Sequence, residues 1–177
     1  VNPDIKVAYS YVGSFTDPSK AKENALIMYQ DTQIIYTAAG ASGLGVFDAA
    51  KEFTAKGEPR FAIGVDTDQA MSLKDSDPEA ASLIITSSIK NIPQYTCDAV
   101  ERFLNGEIPW GTNEMLGLKE NGVTIAKNEF YEKLLSQESR DYVDAEWQKV
   151  ISGEVTPLDT VGMSTEEVEQ IRQAAKP

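Results

Sequence analysis

The chain has 177 residues with 16 Lys and Arg against 28 Asp and Glu, a formal charge of −12, no histidine and one cysteine. Without an imidazole there is no Ser-His-Asp triad, Cys-His pair, His-ligated zinc or histidine proton shuttle, and the lone Cys97 excludes an intrachain disulfide or a Cys-x-x-Cys pair. The acidic balance repels phosphodiester backbones, which excludes nucleic acid as an expected partner, and no run of about 18 apolar residues offers a membrane-spanning helix.

Hydrophobic residues at 41% and charged residues at 25% match a folded soluble chain, either one domain or a closely packed pair of lobes. The start, Val1-Asn2-Pro3-Asp4, lacks a basic stretch followed by an apolar one and has no initiating Met. The chain therefore reads as a processed or truncated piece whose address label lies upstream.

In chain order, Ile5 to Tyr11 reads as a strand by its β-branched and aromatic content, closed by Gly13-Ser14. Asp17-Pro18 reads as an N-cap with proline at the first helical position, opening a helix to about Gln30. Gln33 to Thr37 is a second strand. After Gly40, Gly43 and Gly45, the residues Val46, Phe47, Ala49, Ala50 and Phe53 carry helical spacing until Gly57. Phe61 to Val65, short and almost wholly apolar, fits a parallel strand covered on both faces, and Leu83 to Thr86 is a fourth strand. Asn91 to Leu104 is an amphipathic helix ended by Asn105-Gly106. Met115 to Leu118 and Val123 to Ala126 flank Asn121-Gly122, a hairpin-turn signal. Helical patterns follow over Glu129 to Leu135, Arg140 to Ile151 and Thr165 to Ala175, the last with a Ser164/Glu167 capping box. Strands alternating with helices imply βαβ units and an α/β fold with a parallel sheet.

Ligands of open parallel sheets bind beyond the carboxyl ends of the strands, where loops and free amides converge. That rule selects Gly13 to Asp17, Ala39 to Gly45, Asp66 to Gln69 and Ser87 to Lys90. Asp66 follows a buried strand, and its carboxylate could accept two hydrogen bonds from a ribose diol; equally, it could cap the next turn. Gly40 and Gly43 would let backbone approach a ligand, or simply make a tight turn. Phe15, in a polar loop, could stack on a flat ligand or anchor in the core. Lys90 could serve the same cleft or stand solvated.

A dinucleotide site fits poorly. The glycines run Gly-x-x-Gly-x-Gly, the reverse of the fingerprint, and no Tyr-x-x-x-Lys pair exists. An NAD-dependent enzyme is therefore not expected.

Taken jointly, the segments Tyr11-Val-Gly-Ser-Phe15-Thr-Asp17, Ala38-Ala-Gly40-Ala-Ser-Gly43-Leu-Gly-Val-Phe47, Ile63-Gly-Val-Asp66-Thr-Asp-Gln69, Thr86-Ser-Ser-Ile-Lys90 and Leu116-Gly-Leu-Lys-Glu-Asn-Gly-Val123 are more specific than any alone. In order and spacing the sequence resembles the basic membrane protein family of ABC-transporter substrate-binding lipoproteins, which includes purine nucleoside receptors. The resemblance implies a type I periplasmic-binding-protein architecture, two α/β lobes closing on a nucleoside, with no chemistry performed and no cofactor. It implies that Phe15 stacks on the base, that the Gly40 backbone approaches the ligand, and that Asp66 and Lys90 bind the ribose hydroxyls. The expected partners are a nucleoside and ABC permease subunits. The expected location is extracytoplasmic, with membrane association only through an upstream lipid anchor.

Family members are nearly twice this length, so the chain reads as a carboxy-terminal fragment truncated at its N-terminus. Residues 1–126 would form a partial ligand-binding lobe, including segments that cross to the missing lobe, and residues 127–177 a helical tail packing on it. An uncovered sheet edge makes a homodimer of the fragment conceivable. A rival from another class is a regulatory or sensor module that signals to a protein partner through the acidic helices from Glu129 onward.

Overall fold

In the computed structural model, which describes residues 5–176, the first regular element is helix α1 (Pro18–Met28). Asp17 starts it as the sequence predicts, its Oδ1 accepting the Lys20 amide at 2.9 Å with Pro18 at the first helical position. Helix α1 buries Ala21 and Ala25 against α2 (Leu44–Ala55). The two helices meet so closely that a Cβ on Gly45 would lie 1.9 Å from the Pro18 carbonyl oxygen. Gly45 thus serves helix packing rather than a ligand.

Strands β1 (Ile34–Tyr36), β2 (Phe61–Asp66) and β3 (Ile84–Lys90) are parallel neighbours in that order. Their inward residues Ile35 and Ala62, then Ala62 and Ile84, stand in register, and all three are buried. They face a core of Tyr29, Phe47, Ala50 and Phe53. Burying a side chain such as Phe47 contributes on the order of 2 kcal/mol. The Tyr29 hydroxyl, inside that core, donates to the Phe61 carbonyl at 2.8 Å, so its burial leaves no polar group unpaired.

Between β2 and β3 lie two short helices that periodicity could not reveal, α3 (Gln69–Leu73) and α4 (Pro78–Ala81). Each is announced only by its cap: Asp68 Oδ1 accepts the Met71 amide at 3.1 Å, and Asp77 Oδ1 the Ala80 amide at 3.0 Å. Helix α5 (Ile92–Leu104) follows β3 and, despite its amphipathic stripe, buries none of its residues.

Two expectations are corrected. Ile5 to Tyr11 is not a strand. Strand formation needs a ladder partner as well as β-prone residues, and among the described residues this segment finds none. Its backbone tie is the Val7 amide to the Ala175 carbonyl at 2.8 Å, at the end of helix α8 (Thr165–Ala175). There the Arg172 guanidinium lies 5.5 Å from the Tyr9 ring and 5.7 Å from the Tyr11 ring. Asn121-Gly122 does make a turn, with Asn121 at φ 58° and the Gly122 amide bonded to the Gly117 carbonyl at 2.8 Å, but no hairpin forms. Met115 to Leu118 is irregular, and β4 (Val123–Ile125) instead pairs antiparallel with β3, making the sheet mostly rather than wholly parallel.

The carboxy-terminal part holds α6 (Glu129–Leu134), α7 (Gln137–Ser152) and α8. Asn128 caps α6, and its Nδ2 donates to both Asp68 carboxylate oxygens at 2.9 and 3.0 Å, fixing the start of α6 to the β2–α3 loop. The Ser164/Glu167 capping box forms as expected.

Candidate ligand-binding site

The carboxyl ends of β1, β2 and β3 place the candidate residues. Asp66 ends β2 and Lys90 ends β3, and the strands pair so that Asp66 faces Ile89. Lys90 Nζ lies 2.8 Å from Asp66 Oδ1, with the side chains 58% and 43% exposed. Oδ1 itself is enclosed and has no hydrogen-bond donor in good alignment, so Lys90 approaches off the hydrogen-bonding line and balances its charge without saturating it. Contact with this carboxylate holds the Lys90 ammonium above its ordinary pKa, keeping it charged.

Asp66 does not cap the following helix; Asp68 does. Its own backbone is left-handed, at φ 68°, a conformation that costs most residues with a Cβ about 1–2 kcal/mol and that Asp and Asn adopt at less cost than other side chains. Strain of this kind persists where surrounding structure imposes it, and it gathers at ligand sites. Here it comes where the chain turns off β2 and swings the carboxylate towards β3.

Phe15 is 73% exposed, so it does not anchor in the core. Although no strand precedes it, its loop is fixed by Ser42, a buried residue that the sequence reading passed over. The Ser42 amide donates to the Phe15 carbonyl at 3.0 Å, and its hydroxyl accepts from the Asp17 amide at 2.8 Å while donating to the Ser14 carbonyl at 2.9 Å. A small hydroxyl residue between glycines was the only signal. Gly40, at φ 57°, opens the 3-10 helix Gly40–Gly43 just beyond β1, and a Cβ there would lie 3.4 Å from Phe15 Cβ and Cδ1. Gly40 therefore packs against the base of the Phe15 side chain, in a conformation suited to glycine.

A second buried hydroxyl braces the charge pair. Ser87, fully buried in β3, accepts the Gln69 amide at 3.2 Å, and Gln69 Oε1 accepts the Val65 amide at 2.8 Å. These bonds tie the β2–α3 turn to β3 and hold Asp66 opposite Lys90. The result is an exposed aromatic ring and a partly exposed charge pair at the carboxyl ends of neighbouring strands, an open surface rather than an enclosed cavity. No group of three or more His, Cys, Asp or Glu that could hold a metal occurs among the described residues.

The profile of the family described as Bmp, ABC transporter substrate-binding protein PnrA-like, matches residues 1–158. The chain belongs to this family. It is 37% identical over 130 residues to basic membrane protein D of Borreliella burgdorferi (strain JD1), covering 72% of this chain and 35% of that protein. It is 31% identical over 162 residues to the ABC transporter nucleoside-binding protein BmpA of Lactococcus lactis subsp. cremoris (strain MG1363), covering 88% of this chain and 45% of the relative. Among solved structures it resembles an ABC transporter solute-binding protein from Aeropyrum pernix K1, with a TM-score of 0.68 and 28% identity over 94% of this chain and 53% of the other.

The Bmp chain thus spans less than half the length of these curated relatives. The α/β architecture with a mostly parallel four-stranded sheet corresponds to about half of the solute-binding structure. Among the described residues no helix is long and apolar enough to cross a membrane.

Proposed function

We propose that this chain supplies one wall of a nucleoside site in a substrate-binding protein of an ABC transporter. Nucleosides, purine nucleosides first, are captured outside the membrane and passed to the permease without chemical change. The observation that carries this reading is the Asp66–Lys90 pair, at 2.8 Å, on the same strand edge as an exposed Phe15 packed against Gly40. A carboxylate and an ammonium side by side supply an acceptor and a donor for the two hydroxyls of a ribose, and an aromatic face supplies stacking for a base. The nucleoside-binding name of the Lactococcus relative supports the same ligand class.

In this reading Phe15, Gly40, Asp66 and Lys90 touch the ligand, and a second lobe covers its other face, with hinge closure as the transport signal. The protein works outside the cytoplasm, held at the membrane by a lipid anchor upstream of this chain. A base stacked on one face only forgoes about 1–3 kcal/mol for the missing stack. This wall alone should therefore bind on the order of millimolar, a range in which NMR titration reports binding.

The test is titration of the ¹⁵N-labelled protein with adenosine, guanosine, inosine, cytidine and uridine. Saturable shifts clustered at Phe15, Gly40, Asp66 and Lys90, larger affinities for the purines, and weaker binding of free ribose and free bases are expected. Absence of saturable shifts with every nucleoside at 10-fold the expected dissociation constant would contradict the proposal.

A further inference from the structure

The rim holds a second polar pair that the Asp66–Lys90 contact does not use. Tyr36, the last residue of β1, reaches across β2 to β3, where its hydroxyl lies 3.0 Å from the Ser88 hydroxyl. Tyr36 stands in register with Ile63, and Ser88 with Val65, one residue before Asp66. Ser88 and Lys90 are two residues apart on one strand, so their side chains project from the same face about 7 Å apart. Tyr36 is 52% exposed, so the ring is not a core residue with an incidental hydroxyl.

The chemistry of this pair differs from that of its neighbours. An ionised carboxylate only accepts and an ammonium only donates, whereas two bonded hydroxyls use one proton between them and keep one free donor as well as free acceptor lone pairs. Such a unit is matched to a neutral alcohol, which also donates and accepts. We infer that the Tyr36–Ser88 hydroxyl pair binds a third hydroxyl of the ligand, the nucleoside 5′-hydroxyl, while Asp66 and Lys90 hold the vicinal diol. This rests on the nucleoside reading above and deepens it. With the base on Phe15 and the diol on the charge pair, the 5′-hydroxyl is the one sugar group left without a protein partner. The hydroxyl pair lies on the same rim and beside the charge pair, since Ser88 and Lys90 belong to the same strand end.

The test compares adenosine with 5′-deoxyadenosine, titrated by NMR into the wild type, Tyr36→Phe, Ser88→Ala and Asp66→Ala. In the wild type, loss of the 5′-hydroxyl should weaken binding about three- to tenfold, the range of a neutral hydrogen bond. Tyr36→Phe and Ser88→Ala should weaken adenosine by a similar factor and bind the two ligands equally. Thermal unfolding should be nearly unchanged, since both side chains are partly exposed. If the wild type prefers adenosine and both variants retain the preference, the hydroxyl pair has no such role while the nucleoside reading stands. If adenosine binds and its 5′-deoxy analogue binds equally in the wild type, the inference is again overturned alone. If the wild type binds neither, both fall together. Asp66→Ala should weaken both ligands alike and preserve their ratio, separating diol recognition from recognition of the third hydroxyl.

Discussion

Asp66 and Lys90 end two adjacent parallel strands, and their charged atoms stand 2.8 Å apart although Lys90 lies 24 positions further along the sequence. The strand register alone would not bring them together: Asp66 pairs with Ile89 and has to turn through a left-handed backbone to present its carboxylate to Lys90. Exposed ion pairs contribute little to stability, with a median of about 0–1 kcal/mol. The pair therefore adds little to stability, which agrees with the ligand-binding role proposed for it.

The backbone at Asp66 makes a prediction that separates conformation from charge. Asparagine and glycine tolerate φ 68°, whereas alanine keeps the Cβ but has no side-chain oxygen to support that conformation through a local hydrogen bond. Asp66→Ala should lower stability by about 1 kcal/mol, while Asp66→Asn and Asp66→Gly should stay near the wild type in urea unfolding. All three should lose ligand affinity about tenfold or more, the scale of a hydrogen bond to a charged group. Equal stability of the alanine and asparagine variants would remove backbone strain from the account.

Ser42 holds the Phe15 loop through bonds to Ser14, Phe15 and Asp17. Ser42→Ala leaves the part-buried Asp17 amide and Ser14 carbonyl without their partner, at a cost of about 1 kcal/mol. Amide exchange at Asp17 should speed up, and ligand affinity should fall although the substituted side chain never touches the ligand. Unchanged exchange at Asp17 would show that the loop has another anchor.

Gly45 tests the packing of α1 on α2. A methyl group there would lie 1.9 Å from the Pro18 carbonyl oxygen, and backbone cannot yield as a side-chain tip does. Gly45→Ala should destabilise the fold by about 3 kcal/mol, the upper part of the range for overpacking. Gly57→Ala, where a Cβ meets nothing within 4 Å, should show only the cost of its left-handed φ of 85°. A mild effect at Gly45 would mean that the helices can separate.

The pH dependence follows from the direction of the shifts. Asp77 is held below the usual carboxylate range, first by its bond from Lys51 and then by the Ala80 amide that it caps. A folded pKa below the unfolded value contributes stability that is fully present above the unfolded pKa of about 3.9 and is lost as pH falls through the folded value. Denaturant midpoints should therefore be flat near neutrality and drop below about pH 4, with a smaller drop in Asp77→Asn. Lys90 is shifted upwards, so ligand affinity should not fall between pH 7 and 9 through loss of its charge. A decline over that interval that vanishes in Lys90→Arg would contradict this.

Much of this was legible in the sequence because helix signals are local. Asp17-Pro18 and the Ser164/Glu167 box each fix a helix start from neighbouring residues, and both helices begin there. The apolar run from Phe61 and the segment ending at Lys90 likewise form strands whose carboxyl ends carry the candidate residues. What failed was non-local. Ile5 to Tyr11 has strand composition, but a strand exists only beside another strand, and Asn121-Gly122 specifies a turn without specifying what its flanks pair with. Ser42, Tyr36 and Ser88 were missed for a related reason. A serine or tyrosine has no distinctive spacing, and its role appears only when the fold brings Ser42 under the Phe15 loop and Tyr36 across β2 to Ser88.

The most direct measurement of the central claim is a comparison of adenosine with 2′,3′-dideoxyadenosine on the wild type and on Asp66→Asn. If Asp66 and Lys90 grip the diol, removing both hydroxyls should weaken wild-type binding about tenfold or more, and the asparagine variant should lose most of that discrimination. Equal binding of the two ligands to the wild type, or the same loss in both proteins, would contradict the account.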